Sequence, residues 1–305
     1  MVKDSVVTSF RAKLESDSSK STSLATVETL LEVLEKTKAT TVAEFQNELS
    51  QVVAALEKTD YSSTSIRSAA DLFTRFTSLA PADLLDQNDF AQLLDLYRQR
   101  ARSFIKNVSG SRQKISKCAR LFFTHHMNLL THSFSKVVLE TVLDAHKSGI
   151  PLNVFVTESQ PDASGKHMFE ELKKNGVPTT LVLDSCVGYV MERIDAVLVG
   201  AEGVMETGGI INKIGTVNVC VIAKARQVPV YVCAETIKFV REFPLNQADI
   251  PQEFKYRTSV IEKNNLELEH PDVDYTAPEF LTLIITDLGA MKPEAVGEEL
   301  IKMYI

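Results

Sequence analysis

The run Gly200–Thr216, GAEGVMETGGIINKIGT, gathers the residue types that hold an anion. Gly208 and Gly209 admit backbone conformations closed to other residues. Asn212 and Lys213 are expected to open a helix, where free N–H groups and an ammonium act together on a negative charge. A turn with a glycine pair and an exposed lysine would give the same pattern, so the chemistry alone leaves both readings open. More positive charge comes from the window between Asp95 and Glu140, which holds no acidic residue but contains Arg98, Arg100, Arg102, Lys106, Arg112, Lys114, Lys117, Arg120 and Lys136. If these side chains converge they concentrate anions; if they disperse they are a solvated helix face. There is no G-x-G-x-x-G after the first strand and no G-x-x-x-x-G-K-[ST], which argues against dinucleotide and P-loop nucleotide sites. Cys118, Cys186, Cys220 and Cys233 lie far apart without a CxxC pair, and His125, His126, His132, His146, His167 and His270 have no metal-ligand spacing. No metal and no cofactor is expected, and Cys220 and Cys233, inside apolar runs, read as buried thiols.

The elements that must position these residues change character near residue 120. Leu24, Val27, Leu30, Leu31 and Leu34 recur at helical spacing, as do Val42, Phe45, Leu49, Val52, Val53 and Leu56, and then Ile66, Ala69, Ala70, Phe73 and Phe76. Further helices are expected over 83–106 and 111–125, broken at 107–110. Thr41 and Glu44 form a T-x-x-E capping box, and 16–23 reads as a polar connector. Strand-like runs follow at 128–131, 152–157, 179–183, 196–199, 228–234 and 281–286. They alternate with helices at about 135–147, 164–174, 186–193, 213–226 and 293–303. Apolar strands alternating with helices predict a parallel sheet covered on both faces. The fold class is therefore α/β: an N-terminal all-helical domain, 1–122, followed by a Rossmann-like, doubly wound, mostly parallel sheet domain, 123–305. Such sheets bind ligands at the carboxyl ends of their strands. There stand His132-Ser133, Glu158-Ser159, Asp184-Ser185 and Gly200–Gly203, expected to meet in one crevice.

Composition bounds the rest. With 305 residues, 44% hydrophobic and 24% charged, the chain is that of an ordinary folded protein. Its net charge of −7 argues against nucleic-acid binding. No apolar run approaches the ~20 residues that span a bilayer, and the first residues lack the apolar stretch of a signal peptide. No membrane association is expected, and a cytosolic location is.

The run GAEGVMETGGIINKIGT resembles the signature of the family that contains the alpha, beta and delta subunits of translation initiation factor 2B. Methylthioribose-1-phosphate isomerase and ribose-1,5-bisphosphate isomerase are its enzyme relatives. SIRSAADLFTRF, SRQKI, THSFSKVV, VTESQPDASGK, VLDSCVGYVME, KFVREFPLNQADIP, DYTAP and TDLGAMKPEAVGEELIKMY resemble the alpha-subunit branch in particular and span nearly the whole chain. The resemblance implies the same two-part fold.

It also implies a test of catalysis. The similar enzymes carry a cysteine in a T-H-C-N type motif and an aspartate in a G-A-D-R type motif, and the matching positions are Ser133 and Glu202. Moving a proton between adjacent carbons needs an acid/base pair placed to hydrogen-bond accuracy. A serine hydroxyl does not ionise near pH 7 as a thiol does, and one extra methylene displaces a carboxylate by about an ångström, an error that can cost ~100-fold. Loss of catalysis is expected, with an active phosphosugar isomerase as the alternative. Ligand binding is expected to survive, the implied sugar-phosphate residues being Arg112, Lys114, His132, Ser133, Glu202, Gly208, Gly209, Asn212 and Lys213.

The resemblance further implies a regulatory subunit of the guanine-nucleotide exchange factor for initiation factor 2. That subunit forms a homodimer bridging a decamer with beta, gamma, delta and epsilon subunits, and it senses the phosphorylated alpha subunit of initiation factor 2. Partner-binding positions carried over are Thr41, Glu44, Asp71 and Phe73, although capping accounts for the first two and core packing for Phe73. The apolar run FLTLIITDLG suggests a dimer face after Asp274, being too apolar for an open edge.

Overall fold

The structure, a computed structural model, describes residues 2–17, 20–78 and 90–304. Residues 83–89 of an expected helix and 18–19 of the polar connector lie outside the described residues. Five helices open the described chain: α1 Val2–Ser16, α2 Thr22–Lys36, α3 Val42–Leu56, α4 Ser63–Ser78 and α5 Phe90–Ser109. The apolar stripes of α2, α3 and α4 close on one core, with Leu30, Leu34, Leu49, Leu56, Ile66 and Phe73 buried beside Phe10 of α1 and Tyr97 of α5. Helix α1 carries too thin an apolar stripe to be read from sequence; burial of the Phe10 ring against Tyr61 holds it in place. The expected break at 107–110 shrinks to Gly110, because α5 continues to Ser109. Helix α6, Ser111–Ala119, stops earlier than expected, in a single 3₁₀ turn at Arg120–Phe122.

Seven strands then make the main sheet: β1 Met127–His132, β2 Leu152–Thr157, β3 Thr179–Val182, β4 Ala196–Val199, β7 Val230–Cys233, β10 Leu283–Thr286 and β11 Gly289–Met291. Their order is β11-β10-β7-β4-β1-β2-β3, parallel except for the β10–β11 pair. Both faces are covered, which is why the strands read as continuous apolar runs. Leu129 faces a core shared with α6, α7 (Lys136–Lys147) and α8 (Ser164–Lys174). Leu130, the next residue, faces α9 (Val187–Val190), α10 (Thr216–Ala225) and α13 (Val296–Tyr304). Cys220 and Cys233 are buried, and burial pushes both thiols up to about 12. We propose the division after residue 122, where helices give way to strands; the core of α6 is continuous with that of the sheet.

Two expectations are corrected. A second sheet, unforeseen, is built from β5 Gly203–Met205, β6 Ile210–Lys213, β8 Phe239–Val240 and β9 Val273–Thr276 in the order β8-β5-β6-β9. Asn212 and Lys213 therefore end a strand instead of opening a helix. Ile210 and Ile211 are β-branched and pair with Thr276 and Tyr275, so the run is committed to the sheet until Gly215, at φ +99°, turns the chain into α10 at Thr216. The apolarity of β10 also has an internal cause. The strand lies between β7 and β11 with Ile284 and Ile285 buried, so its composition gives no reason to place a dimer face there.

The two parts interlock. The Ser68 hydroxyl of α4 lies within 2.5–2.6 Å of the carbonyls of Ile237 and Phe239, at the start of β8. Arg67 pairs with Glu57 at 2.9 Å and lies 5.0 Å from the ring centre of Phe254, in α11 (Gln252–Lys255). The Thr258 hydroxyl donates to the Glu57 carbonyl, tying α12, Thr258–Glu262, to the end of α3.

Candidate functional site

A cavity of about 330 Å³ opens at the carboxyl ends of the parallel strands, beneath the helical part. Each wall has a structural origin. β1 ends at His132 and delivers Ser133, held at φ +66°, a left-handed conformation uncommon outside glycine. β6 of the small sheet delivers Asn212 and Lys213. β4 is followed by Gly200, whose missing side chain leaves room for Ser135, and then by Glu202. β7 is followed by Glu235. Helix α6 brings Arg112, the start of α7 brings Lys136, and Ser21, Ser62 and Ser65 close the cavity from the helical side.

Three of the four cations that line it are ion-paired. Lys213 Nζ stands 2.7 Å from Asp162, whose carboxyl also accepts from the Ser164 N–H at 3.0 Å. Partial burial would raise the Asp162 carboxyl, but Lys213 and Ser164 outweigh it and hold the group below the usual carboxylate range. Glu235 is deeply buried between Arg112 at 3.0 Å and Lys238 at 3.2 Å. Burial acts to raise its carboxyl; the two cations, Lys238 first, bring it down to about 2. Its Oε2 pairs with Lys238 electrostatically but has no aligned hydrogen-bond donor among the described residues, so one buried acceptor is left over. Glu202 accepts from the Ser62 hydroxyl at 2.6 Å, and its backbone carbonyl from Ser65 at 3.1 Å.

The groups nearest to a nucleophile are otherwise engaged. The Ser133 hydroxyl lies 2.8 Å from that of Ser164, and the Ser133 N–H donates to Ser159 Oγ at 2.7 Å. His132 is buried below the floor. Its Nε2 lies 2.8 Å from the Ile214 carbonyl, an acceptor, so Nε2 carries the proton. Nδ1 then accepts from the Thr157 hydroxyl at 2.6 Å. Burial, first, and the Lys213 charge lower the imidazole below its ordinary value, against the opposing Ile214 bond and acids, and keep it neutral at pH 7. With both nitrogens engaged, it is no base for Ser133.

Of the residues expected from sequence, Arg112, Ser133, Glu202, Asn212 and Lys213 converge on the cavity. Four do not line it. Lys114 is exposed on the outer face of α6. His132 supports the floor from beneath. Gly208, at φ +84°, and Gly209 form the β5–β6 turn, at the opposite end of the hairpin from Lys213. They are small because Pro293 and Tyr275 approach them closely. Among the strand-end residues, Ser159 and Asp184 brace the floor, Asp184 accepting from the N–H groups of Ser159 and Gln160 at 2.9 and 2.7 Å; Glu158 and Ser185 do not line the cavity.

Asp162, Ser164, Glu235, Lys238, Ser62 and Ser65 were not picked out beforehand. Glu235 stands one residue past the expected end of a strand, and the strand-end rule carried one strand further would have found it. Nothing in the local sequence marks Ser62 or Ser65.

The partner-binding candidates lie apart. Thr41 caps α3, accepting from the Glu44 N–H at 3.2 Å, while the Glu44 carboxylate accepts from the Thr40 N–H at 2.8 Å, one residue before the expected box partner. Phe73 is fully buried beside Phe104. Asp71 lines a separate groove of about 970 Å³ between α3 and α4, along with Gln46, Arg67, Thr74, Arg75 and Arg241. Its shape partly desolvates the carboxyl, which with Glu57 and Glu242 nearby pushes it up despite Arg67. Among the described residues no cluster of His, Cys, Asp or Glu is placed to hold a metal, and no helix is long and apolar enough to cross a membrane.

Comparison with known proteins gives a consistent family. The model of the Initiation factor 2 subunit family matches residues 15–293. The chain is 89% identical, over the whole of both sequences, to translation initiation factor eIF2B subunit alpha of Caenorhabditis elegans. It is 31% identical to ribose 1,5-bisphosphate isomerase of Thermococcus kodakarensis, over 86% of this chain and 82% of that one. A chain of the tetrameric eIF2B beta2-delta2 complex from C. thermophilum shares its fold at a TM-score of 0.76, covering 99% of this chain and 94% of that one at 16% identity.

Proposed function

This chain belongs to the Initiation factor 2 subunit family, and from that premise we propose that it is a non-catalytic regulatory subunit of the guanine-nucleotide exchange factor for translation initiation factor 2. One observation carries the reading: 89% identity, end to end, with an eIF2B alpha subunit. In this role it forms a homodimer that bridges a decamer with beta, gamma, delta and epsilon subunits in the cytosol, and it distinguishes the phosphorylated alpha subunit of initiation factor 2. A phosphate adds close to two negative charges. The groove holding Arg67, Arg75 and Arg241 beside Asp71 is a suitable receiving surface, with Thr41, Glu44 and Phe73 maintaining the helices that form it. The test is a pull-down with phosphorylated and unphosphorylated initiation factor 2, with and without the other subunits. Preferential retention of the phosphorylated form is expected; a monomeric chain indifferent to phosphorylation would overturn the reading.

The cavity is read as a vestigial phosphosugar site. Arg112, Lys213 and Lys238 supply charge for a phosphate. Asn212, the serine hydroxyls and the leftover Glu235 acceptor suit the hydroxyls of a sugar. Thermal-shift titration with phosphosugars, on wild type and Lys213→Ala, tests this, and no stabilisation at millimolar ligand would remove it. The isomerase reading draws on the 31% identity to a ribose 1,5-bisphosphate isomerase. Against it stand a Ser133 bonded to Ser164 and a His132 with both nitrogens engaged. Turnover of ribose-1,5-bisphosphate would reinstate it.

A further inference from the structure

Four cations line the cavity, and they are not equivalent. Arg112 and Lys238 share Glu235, and Lys213 is paired with Asp162. Lys136 has no carboxylate within ion-pair distance among the described residues; its Nζ instead donates to the backbone carbonyl of Lys20 at 2.6 Å. A neutral amine can keep that bond, since it needs one N–H and leaves the nitrogen lone pair free. Lys136 is also the first residue of α7, after its cap Ser135, and the positive end of a helix disfavours an ammonium.

We infer that Lys136 captures carbonyl compounds, condensing reversibly with the aldehyde of an anionic ligand held by the other three cations. This rests on the phosphosugar reading of the cavity, and it adds a covalent step to it. The Nζ lone pair attacks the aldehyde carbon of an open-chain aldose phosphate, and the carbonyl oxygen takes up a proton. The resulting carbinolamine loses one water to give an imine, which hydrolysis returns to amine and aldehyde; no oxidant or reductant takes part. The electrostatics agree in direction. Burial, first, and then the neighbouring Arg112 and Lys238 charges push the amine below the ordinary lysine range, Asp17 and Glu235 acting against them. Lys213, by contrast, has its Nζ engaged by the Asp162 carboxylate at 2.7 Å.

Pyridoxal 5′-phosphate, which carries both a phosphate and an aldehyde, is the probe. The full-length chain is incubated with it, reduced with borohydride and mapped by peptide mass spectrometry, with ribose 5-phosphate as competitor. The expected result is labelling that saturates at one adduct per chain, on Lys136, and is lost in Lys136→Arg, which keeps the charge and whose fold is checked by circular dichroism. Label spread over exposed lysines, or unchanged in Lys136→Arg, overturns the inference. The two readings separate by outcome. Labelling of Lys136 that ribose 5-phosphate does not suppress supports the reactive amine and removes the phosphosugar. Thermal stabilisation by ribose 5-phosphate with no adduct at Lys136 removes the covalent step alone.

Discussion

The hydroxyl of Ser133 stands 2.8 Å from the hydroxyl of Ser164, across the mouth of the cavity from β1 to the first residue of α8. A hydroxyl bonded to another hydroxyl has no partner able to take its proton, and His132, the adjacent residue in sequence, is turned to Thr157 and Ile214. Purified chain is therefore expected to give no turnover of ribose-1,5-bisphosphate or methylthioribose-1-phosphate. Ser133→Ala should change phosphosugar affinity by no more than the value of one neutral hydrogen bond, about 1 kcal/mol. Coupled product assays and calorimetric titration read the two outcomes.

On the proposed reading of the cavity, Lys213 is expected to contribute more to anion binding than Ser133. It is placed by the strand β6 rather than by a mobile loop, and among the described residues Asp162 is the carboxylate paired with it. Lys213→Ala is predicted to weaken phosphosugar binding by tenfold or more, about 1.4–3 kcal/mol for a lost charge-assisted bond. Isothermal titration against the wild type checks this.

The four partner candidates separate into structural and surface roles. Phe73→Ala empties a fully buried position in the helical core and should cost about 3–5 kcal/mol of stability, measured by urea unfolding. Thr41→Ala removes a helix cap worth about 1 kcal/mol. Asp71→Asn is expected to leave stability nearly unchanged yet alter capture of the phosphorylated partner, because Asp71 sits in the groove with Arg67, Arg75 and Arg241.

Asp274 sets a pH dependence of its own. The residue is buried on β9 and accepts from the N–H groups of Gly215 and Val217, at 2.7 and 3.2 Å. Burial pushes its carboxyl from 3.8 up to about 7, the backbone donors recovering only part. Folding thus favours the protonated acid: the contribution is complete below about 3.8 and is lost as pH rises through about 7, with a ceiling of roughly 4 kcal/mol. Urea midpoints of wild type should fall relative to Asp274→Asn between these pH values. Glu235, held down at about 2, acts with the opposite sign and in a lower window: its contribution is present above 4.5 and lost as pH falls toward 2.

Much of the fold was legible because its strands are buried on both faces. The runs 152–157 and 196–199 coincide with β2 and β4, and 164–174 with α8. The small sheet was not, since β5 and β8 are only three and two residues long and carry no alternation to read. That omission displaced Asn212 and Lys213 from a strand end to a helix start, although both still reach the cavity. The glycine pair misled for a related reason. Glycine signals either a phosphate cradle or a close backbone approach, and at Gly208 the neighbour is the Pro293 backbone. Asp162 and Glu235 were missed because each carboxylate is recognised by the cation it holds, which sequence order does not reveal.

The proposed role of this chain is to regulate exchange rather than to perform chemistry. It is tested most directly by the rate of guanine-nucleotide release from initiation factor 2, catalysed by the reconstituted complex with and without this chain, in the presence of the phosphorylated alpha subunit. Strong inhibition is predicted only when the chain is present, and relief of that inhibition when Asp71 and Arg75 are substituted together. Equal inhibition with and without the chain would rule that role out.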